Sequence, residues 1–94
     1  MVSPSVSDKQ PHVLMRAAVI EQITARLDGR LNDVALAAWA FDRFYAEELG
    51  TEEYEPGAGQ LIADALDVLM FEDDPVFQLD DEELRALIAQ LGTV

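Results

Sequence analysis

The side chains of this chain that could support chemistry are mostly carboxylates, because other reactive types are scarce. The sequence contains nineteen Asp and Glu residues, one His and no Cys. Nucleophilic catalysis needs a nucleophile, a base and a group that orients the base. No serine follows Ser7, and the single imidazole, His12, stands beside Pro11 near the N-terminus. This inventory excludes a hydrolytic triad and predicts a protein that is not an enzyme.

Carboxylates also bind hard cations, and two acidic runs, 72–74 and 80–83, offer oxygen ligands. Neither run has the spacing of an EF-hand loop, and no Glu-x-x-His pair is present for a helical di-metal site. The second run already has a structural explanation, because Asp80 and Glu83 form a capping box. The glycines at 57–59 have no nearby Lys, which argues against a phosphate loop. We therefore expect no metal and no cofactor.

The acidic charge is unevenly distributed along the chain. The net charge is −13. Up to Ala46 five acids balance five bases, whereas from Glu47 onward there are fourteen acids and one base, Arg85. An acidic field repels nucleic acid and anionic membranes and attracts a basic protein. The same charge also keeps proteins soluble, so a functional and a merely solubilising interpretation both stay open.

An acidic rim around an aromatic anchor is a suitable surface for binding a cationic site. Tyr54 could be such an anchor, but we favour a second interpretation, in which it covers one end of the helical core. The residues predicted to contact a basic partner are Glu47, Glu52, Glu53, Tyr54, Glu55, Asp64, Asp67, Phe71, Glu72, Asp73 and Asp74.

Four stretches with helical periodicity must position these side chains. They span residues 12–27, 34–49, 58–71 and 81–91. We find neither sustained alternation nor an Asn-Gly or Asp-Gly hairpin turn, so no strand is predicted. The expected fold is all-α, a four-helix antiparallel bundle. Residues 12–94 form this single domain, and residues 1–11 are expected to form a flexible polar tail.

The second predicted helix, 34–49, is central because it is apolar on both sides. We expect its broad face to pack in the core, with Leu36 and Trp39 on the opposite side. We favour Trp39 as a core residue, and if the opposite side is buried the helix is only scaffold. If that side is exposed, a binding surface starts there, or a homodimer through Leu36 and Trp39 with Phe71, which would make the protein a self-associating structural domain. The residues of the broad face are Val34, Ala37, Ala38, Phe41, Phe44, Tyr45 and Leu49.

No apolar run approaches the roughly 20 residues of a membrane helix, and the N-terminus lacks the pattern of a secretory signal. These features predict a soluble, cytoplasmic protein of bacterial type.

The order of motifs resembles a family of small bacterial proteins. Leu27 and Gly29 end the first helix as L-x-G, an aromatic-rich helix and a Tyr/Pro/Gly loop follow, and FEDDP precedes QLDDEELRALIAQL. Over residues 19–91 this order resembles the colicin-D-immunity-like family. The resemblance implies a compact helical bundle that binds a cationic RNase toxin domain, with its acidic surface in the place of tRNA. In this sequence the resemblance assigns the acidic binding surface to the stretches 71–74 and 79–84.

Overall fold

A computed structural model describes residues 12–92 of the chain. The predicted tail, 1–11, lies outside these residues, as do residues 93–94. In chain order the elements are β1 (His12–Leu14), α1 (Arg16–Leu27), α2 (Asp33–Glu48), β2 (Glu52–Tyr54), α3 (Gly59–Leu69) and α4 (Asp81–Gly92).

The ends of the helices follow local capping rules. The Asn32 side chain accepts a hydrogen bond from the backbone N–H of Ala35 at 2.8 Å and so caps α2. At the start of α4, the N–H of Glu83 donates to Asp80 at 2.8 Å, and the N–H of Asp80 donates to Glu83 at 2.9 Å. This reciprocal pair confirms the predicted capping box. Gly29, just after α1, has a φ of +80°, a conformation that glycine adopts without strain.

The all-α prediction is wrong in one respect, because two short strands pair in parallel. His12 lies opposite Glu52, Val13 opposite Glu53 and Leu14 opposite Tyr54. The first helix, predicted from residue 12, therefore begins only at Arg16. Each strand has three residues, which is too short to show alternation along the sequence. The architecture is mostly helical with a small parallel sheet, and an antiparallel four-helix bundle is not confirmed.

The core draws side chains from β1 and from α1, α2, α3 and α4. Trp39, Phe44 and Tyr54 are partly buried and pack against it. Its buried members are Leu14, Val19, Ile23, Leu36, Ala40, Ala58, Ile62, Ala65, Leu66, Leu69, Leu84 and Leu91.

Helix α2 packs on the core with residues from both of its apolar sides. Of the predicted broad face, Ala37 is buried and Phe44 is partly buried against the core. Leu36 is fully buried and Trp39 packs against the core. Because Leu36 is fully buried, it is not available for the predicted dimer surface with Trp39. On the predicted core face, Phe41 and Tyr45 are instead 49% and 54% exposed. Periodicity could not choose between the sides, because both are apolar and only the position of the neighbouring elements decides.

Candidate partner-binding surface

Three members of the predicted acidic set are used inside the fold. Glu52 is 5% exposed, and Arg43 Nη1 donates to its Oε2 at 2.9 Å. Glu55 accepts hydrogen bonds from the Arg16 side chain at 3.2 Å. Glu72 has no exposed surface. The arginines of the near-neutral N-terminal half thus neutralise two of the acids that follow it, and these three carboxylates contribute little to an accessible surface.

Glu55 has a clear structural role at the start of α1. Met15 precedes that helix and gives it no side-chain cap. The backbone N–H of Arg16 instead donates to Glu55 Oε1 at 2.9 Å. The hydrogen bonds from the Arg16 side chain and backbone lower the pKa of Glu55. Because Arg16 Nη1 also donates to the Leu91 carbonyl at 3.1 Å, this pair links the loop after β2 to α1 and to the end of α4.

Glu72 is the buried member of a polar network around the connector between α3 and α4. The backbone N–H of Leu79 donates to its Oε1 at 2.9 Å, while its Oε2 is buried without a hydrogen-bond partner in the described part of the chain. Gln78 donates from Nε2 to the Glu72 carbonyl at 3.0 Å and to Asp33 Oδ2 at 2.9 Å. Asp33 in turn pairs with Arg26. Burial raises the pKa of Glu72, so its charge destabilises the fold.

Tyr54 packs against the core, which confirms the favoured interpretation that it covers the core. Burial, with the nearby charges of Glu47, Glu48 and Glu52, raises its pKa to about 12. Its hydroxyl oxygen is buried with no hydrogen-bond partner among the described residues. Tyr54 therefore contributes to the scaffold more than to the surface.

The remaining predicted residues are accessible. Glu47, Glu53, Asp64, Asp67, Phe71 and Asp73 are exposed, and Asp74 is partly exposed. Within residues 12–92, the ion pairs of the arginines use other carboxylates, namely Asp28, Asp33, Glu52, Glu55 and Asp81. The accessible acids therefore keep charge that is available to a partner.

The outer face of α3 combines acidic and apolar side chains. Asp64, Asp67, Val68 and Phe71 follow each other at spacings of three, one and three residues, which place them on one side of the helix and its C-terminal turn. Val68 and Phe71 are 40% and 46% exposed. Two carboxylates thus lie directly beside two apolar side chains that the fold does not cover.

A cleft opens beside this face, which we name the α3 cleft. It has a volume of about 380 Å³ and is lined by Asp67, Val68, Phe71, Phe77 and Leu79. The ring centroids of Phe71 and Phe77 are 5.8 Å apart. Phe77, in the connector between α3 and α4, is 60% exposed and forms one wall of the cleft.

A second apolar feature, which sequence reasoning missed, is the outer side of α2. Phe41 and Tyr45 stack there with ring centroids 5.5 Å apart. A groove of about 270 Å³ runs between this side and the end of α3. We name it the α2 groove; its lining is Val34, Ala37, Ala38, Phe41, Asp42, Met70 and Asp73. The apolar character of both sides of α2 was the signal that one of them lacks a partner.

Residues 12–92 contain no group of three or more His, Asp or Glu placed to hold a metal ion. None of the described helices is long and apolar enough to cross a membrane. No protein-family model, curated protein or solved structure matches the chain. The arrangement places carboxylates beside exposed aromatic rings.

Proposed function

We propose that this protein is a non-enzymatic binding module whose acidic surface docks on a basic protein. One observation carries the proposal: Asp64 and Asp67 lie exposed beside Val68 and Phe71 on the outer face of α3. Interfaces obtain most of their affinity from a few large apolar anchors, whereas the charges around them speed association and select the partner. The α3 cleft provides space for such an anchor, and the two carboxylates provide the charge.

The charge balance of the fold supports a cationic partner. Arg16 and Arg43 of the N-terminal half bind Glu55 and Glu52 internally. Their positive charge is therefore already used and does not offset the acids on the outer face of α3. A field of one sign attracts a partner of opposite charge over about 8–10 Å at physiological salt.

The partner we propose is a cationic nuclease domain of a toxin, which makes this protein an inhibitor of the immunity type. The resemblance of residues 71–74 and 79–84 to the colicin-D-immunity-like family supports this choice. Exposed carboxylates at Asp64, Asp67 and Asp73 would occupy positions that tRNA phosphates take on such a nuclease. Glu72, although part of the FEDDP motif, is buried and is therefore not available to bind the toxin.

The test is whether a neighbouring gene encodes a cationic nuclease domain and whether that domain, once purified, binds this protein. Wild type is compared with the double variant Asp64→Lys, Asp67→Lys and with the matched control Glu21→Lys, which reverses an exposed charge on α1. Exposed ion pairs contribute up to about 1 kcal/mol each, so two reversals weaken binding about tenfold or more.

Binding should also weaken as salt is raised, and the nuclease should cleave tRNA more slowly when wild type is present. Failure of the nuclease domain to bind, salt-independent binding, or equal loss in Glu21→Lys would each contradict the proposal. Circular dichroism of the variants separates loss of binding from loss of fold.

A further inference from the structure

We propose that the α2 groove is a docking site for an amphipathic, cationic helix of a partner protein. This inference rests on the proposed function, because it assumes that the partner is basic. It concerns a neighbouring surface, which shares Asp73 with the acidic one, and specifies the shape of the segment that binds there.

The outer side of α2 carries an apolar stripe along its whole length. Its members follow each other at steps of four, three, four and four residues, the spacing of one helix face. Such i, i+3 and i+4 anchors are typical of helix-in-groove recognition. With 16 residues, α2 presents a stripe about 24 Å long, enough for a partner helix of four turns. The members are Val34, Ala38, Phe41, Tyr45 and Leu49.

The large side chains of this stripe are about half exposed or more. Val34, Tyr45 and Leu49 are 64%, 54% and 68% exposed, respectively. Scattered exposed apolar residues are ordinary, but a contiguous stripe is characteristic of an interaction surface. The stacked rings of Phe41 and Tyr45 stand at its centre, where the anchors of an interface usually lie.

Charge decides which occupant fits the groove. Asp42 lies on its α2 wall and Asp73, in the turn after α3, on the opposite wall, and the described lining contains no cationic side chain. Arg43, the arginine of α2, donates to the buried Glu52 on the core side. A helix with apolar residues on one face and Lys or Arg along its flanks would place its cations against both carboxylates.

A second copy of this chain fits less well. A two-fold contact is isologous, so it brings the same patch from both subunits together. Asp42 and Asp73 would then meet the acidic walls of the other copy, and like charges across an interface are unfavourable. The observed charges therefore favour a cationic helix over self-association.

The experiment uses a synthetic peptide as the probe, with Leu on one helical face and Lys on the other, about 16 residues long to match α2. A peptide of the same composition, scrambled so that no apolar face forms, controls for charge alone. Binding to the full chain is measured by fluorescence anisotropy of the labelled peptides near physiological salt. We expect the amphipathic peptide to bind about tenfold more tightly than the scrambled one.

The groove is tested by the double variant Phe41→Ser, Tyr45→Ser. Both side chains are half exposed, so the fold should be retained, and circular dichroism checks this. The matched control is Val76→Ser, which removes an apolar side chain that is 81% exposed and lies outside the groove. We expect the double variant to weaken binding of the amphipathic peptide about tenfold, and the control to leave it unchanged.

Equal binding of both peptides, or equal loss in Val76→Ser, would overturn the inference. A dimer in sedimentation that Phe41→Ser, Tyr45→Ser dissociates would also overturn it, because a second copy would then be the occupant. Loss of nuclease binding in the Asp64, Asp67 variant together with unchanged peptide binding in the Phe41, Tyr45 variant refutes this inference alone. Unchanged nuclease binding in the Asp64→Lys, Asp67→Lys variant, together with weakened peptide binding in the Phe41→Ser, Tyr45→Ser variant, refutes the proposed function alone.

Discussion

Replacing Glu72 by Gln should make this protein more stable at neutral pH, although Glu72 is fully buried. Its Oε1 accepts a hydrogen bond from the Leu79 N–H at 2.9 Å, which Gln preserves. Its Oε2 is buried and has no hydrogen-bond partner among the described residues. In the Gln variant an amide N–H donor replaces this unsatisfied charged oxygen. The donor would lie beside the Asp33 carboxylate, which can accept its hydrogen bond.

The expected gain in the free energy of unfolding follows from the cost of burying that oxygen without a hydrogen-bond partner. A buried polar atom without a partner costs about 1–3 kcal/mol, so Glu72→Gln should raise the free energy of unfolding by about 1–2 kcal/mol. For a domain of this size each kcal/mol corresponds to about 4–8 °C in the melting temperature.

The stability gained by Glu72→Gln should increase as pH rises from acidic to neutral. Burial raises the pKa of Glu72 above its ordinary value of 4.5 in the folded state. Its contribution to stability is therefore fully present below the ordinary Glu pKa and is lost as pH rises through the raised value. Glu72→Gln removes this loss, so the gain over wild type should grow from acidic to neutral pH.

Thermal melts followed by circular dichroism across this pH range provide the assay. The matched control is Glu53→Gln, which makes the same chemical change at an exposed position and should shift the melting temperature little. A Glu72→Gln variant that melts below wild type at neutral pH, or whose advantage does not change with pH, would refute the reasoning.

Three further substitutions test the scaffold, each by urea denaturation. Arg43→Met leaves the carboxylate of Glu52 buried without its partner and should cost about 2–3 kcal/mol; a loss below half of that would contradict a structural role for this pair. Asp80→Ala removes the acceptor for the Glu83 N–H at the start of α4 and should cost about 1 kcal/mol, and an unchanged midpoint would mean that the capping box contributes nothing. Gly57→Ala meets no atom within 4 Å, but its φ of +83° is strained for alanine, so a cost of about 1 kcal/mol should appear; wild-type stability would show that this strain is relieved.

The parts of the fold that depend on nearby residues were predictable from the sequence. Helical periodicity located the helices, and the capping box of Asp80 and Glu83 marked where α4 begins. These signals are local, since a capping side chain binds a backbone N–H two or three residues away. The accessible acids on α3, Asp64 and Asp67, were also identified correctly as exposed, because a carboxylate opposite an apolar helix face normally remains in water.

The parts that depend on distant residues were not predictable. Strand β1 pairs with β2 across two intervening helices, and three-residue strands carry no periodic signal. Glu52 and Glu72 have the residue type of a surface position, yet both are buried because Arg43 and Leu79 provide partners. The stripe through Phe41 was assigned to the core, since an apolar helix side does not reveal whether it is covered.

The proposal that an acidic surface docks on a basic protein is tested most directly by mapping the contact residue by residue. Amide signals of the labelled protein would be followed by NMR while the cationic nuclease domain is added. We predict that the perturbed amides include Asp64, Asp67 and Phe71, whereas those around Glu21 on α1 stay unchanged. Perturbations centred on Glu21, or none on the outer face of α3 when the complex forms, would contradict the account.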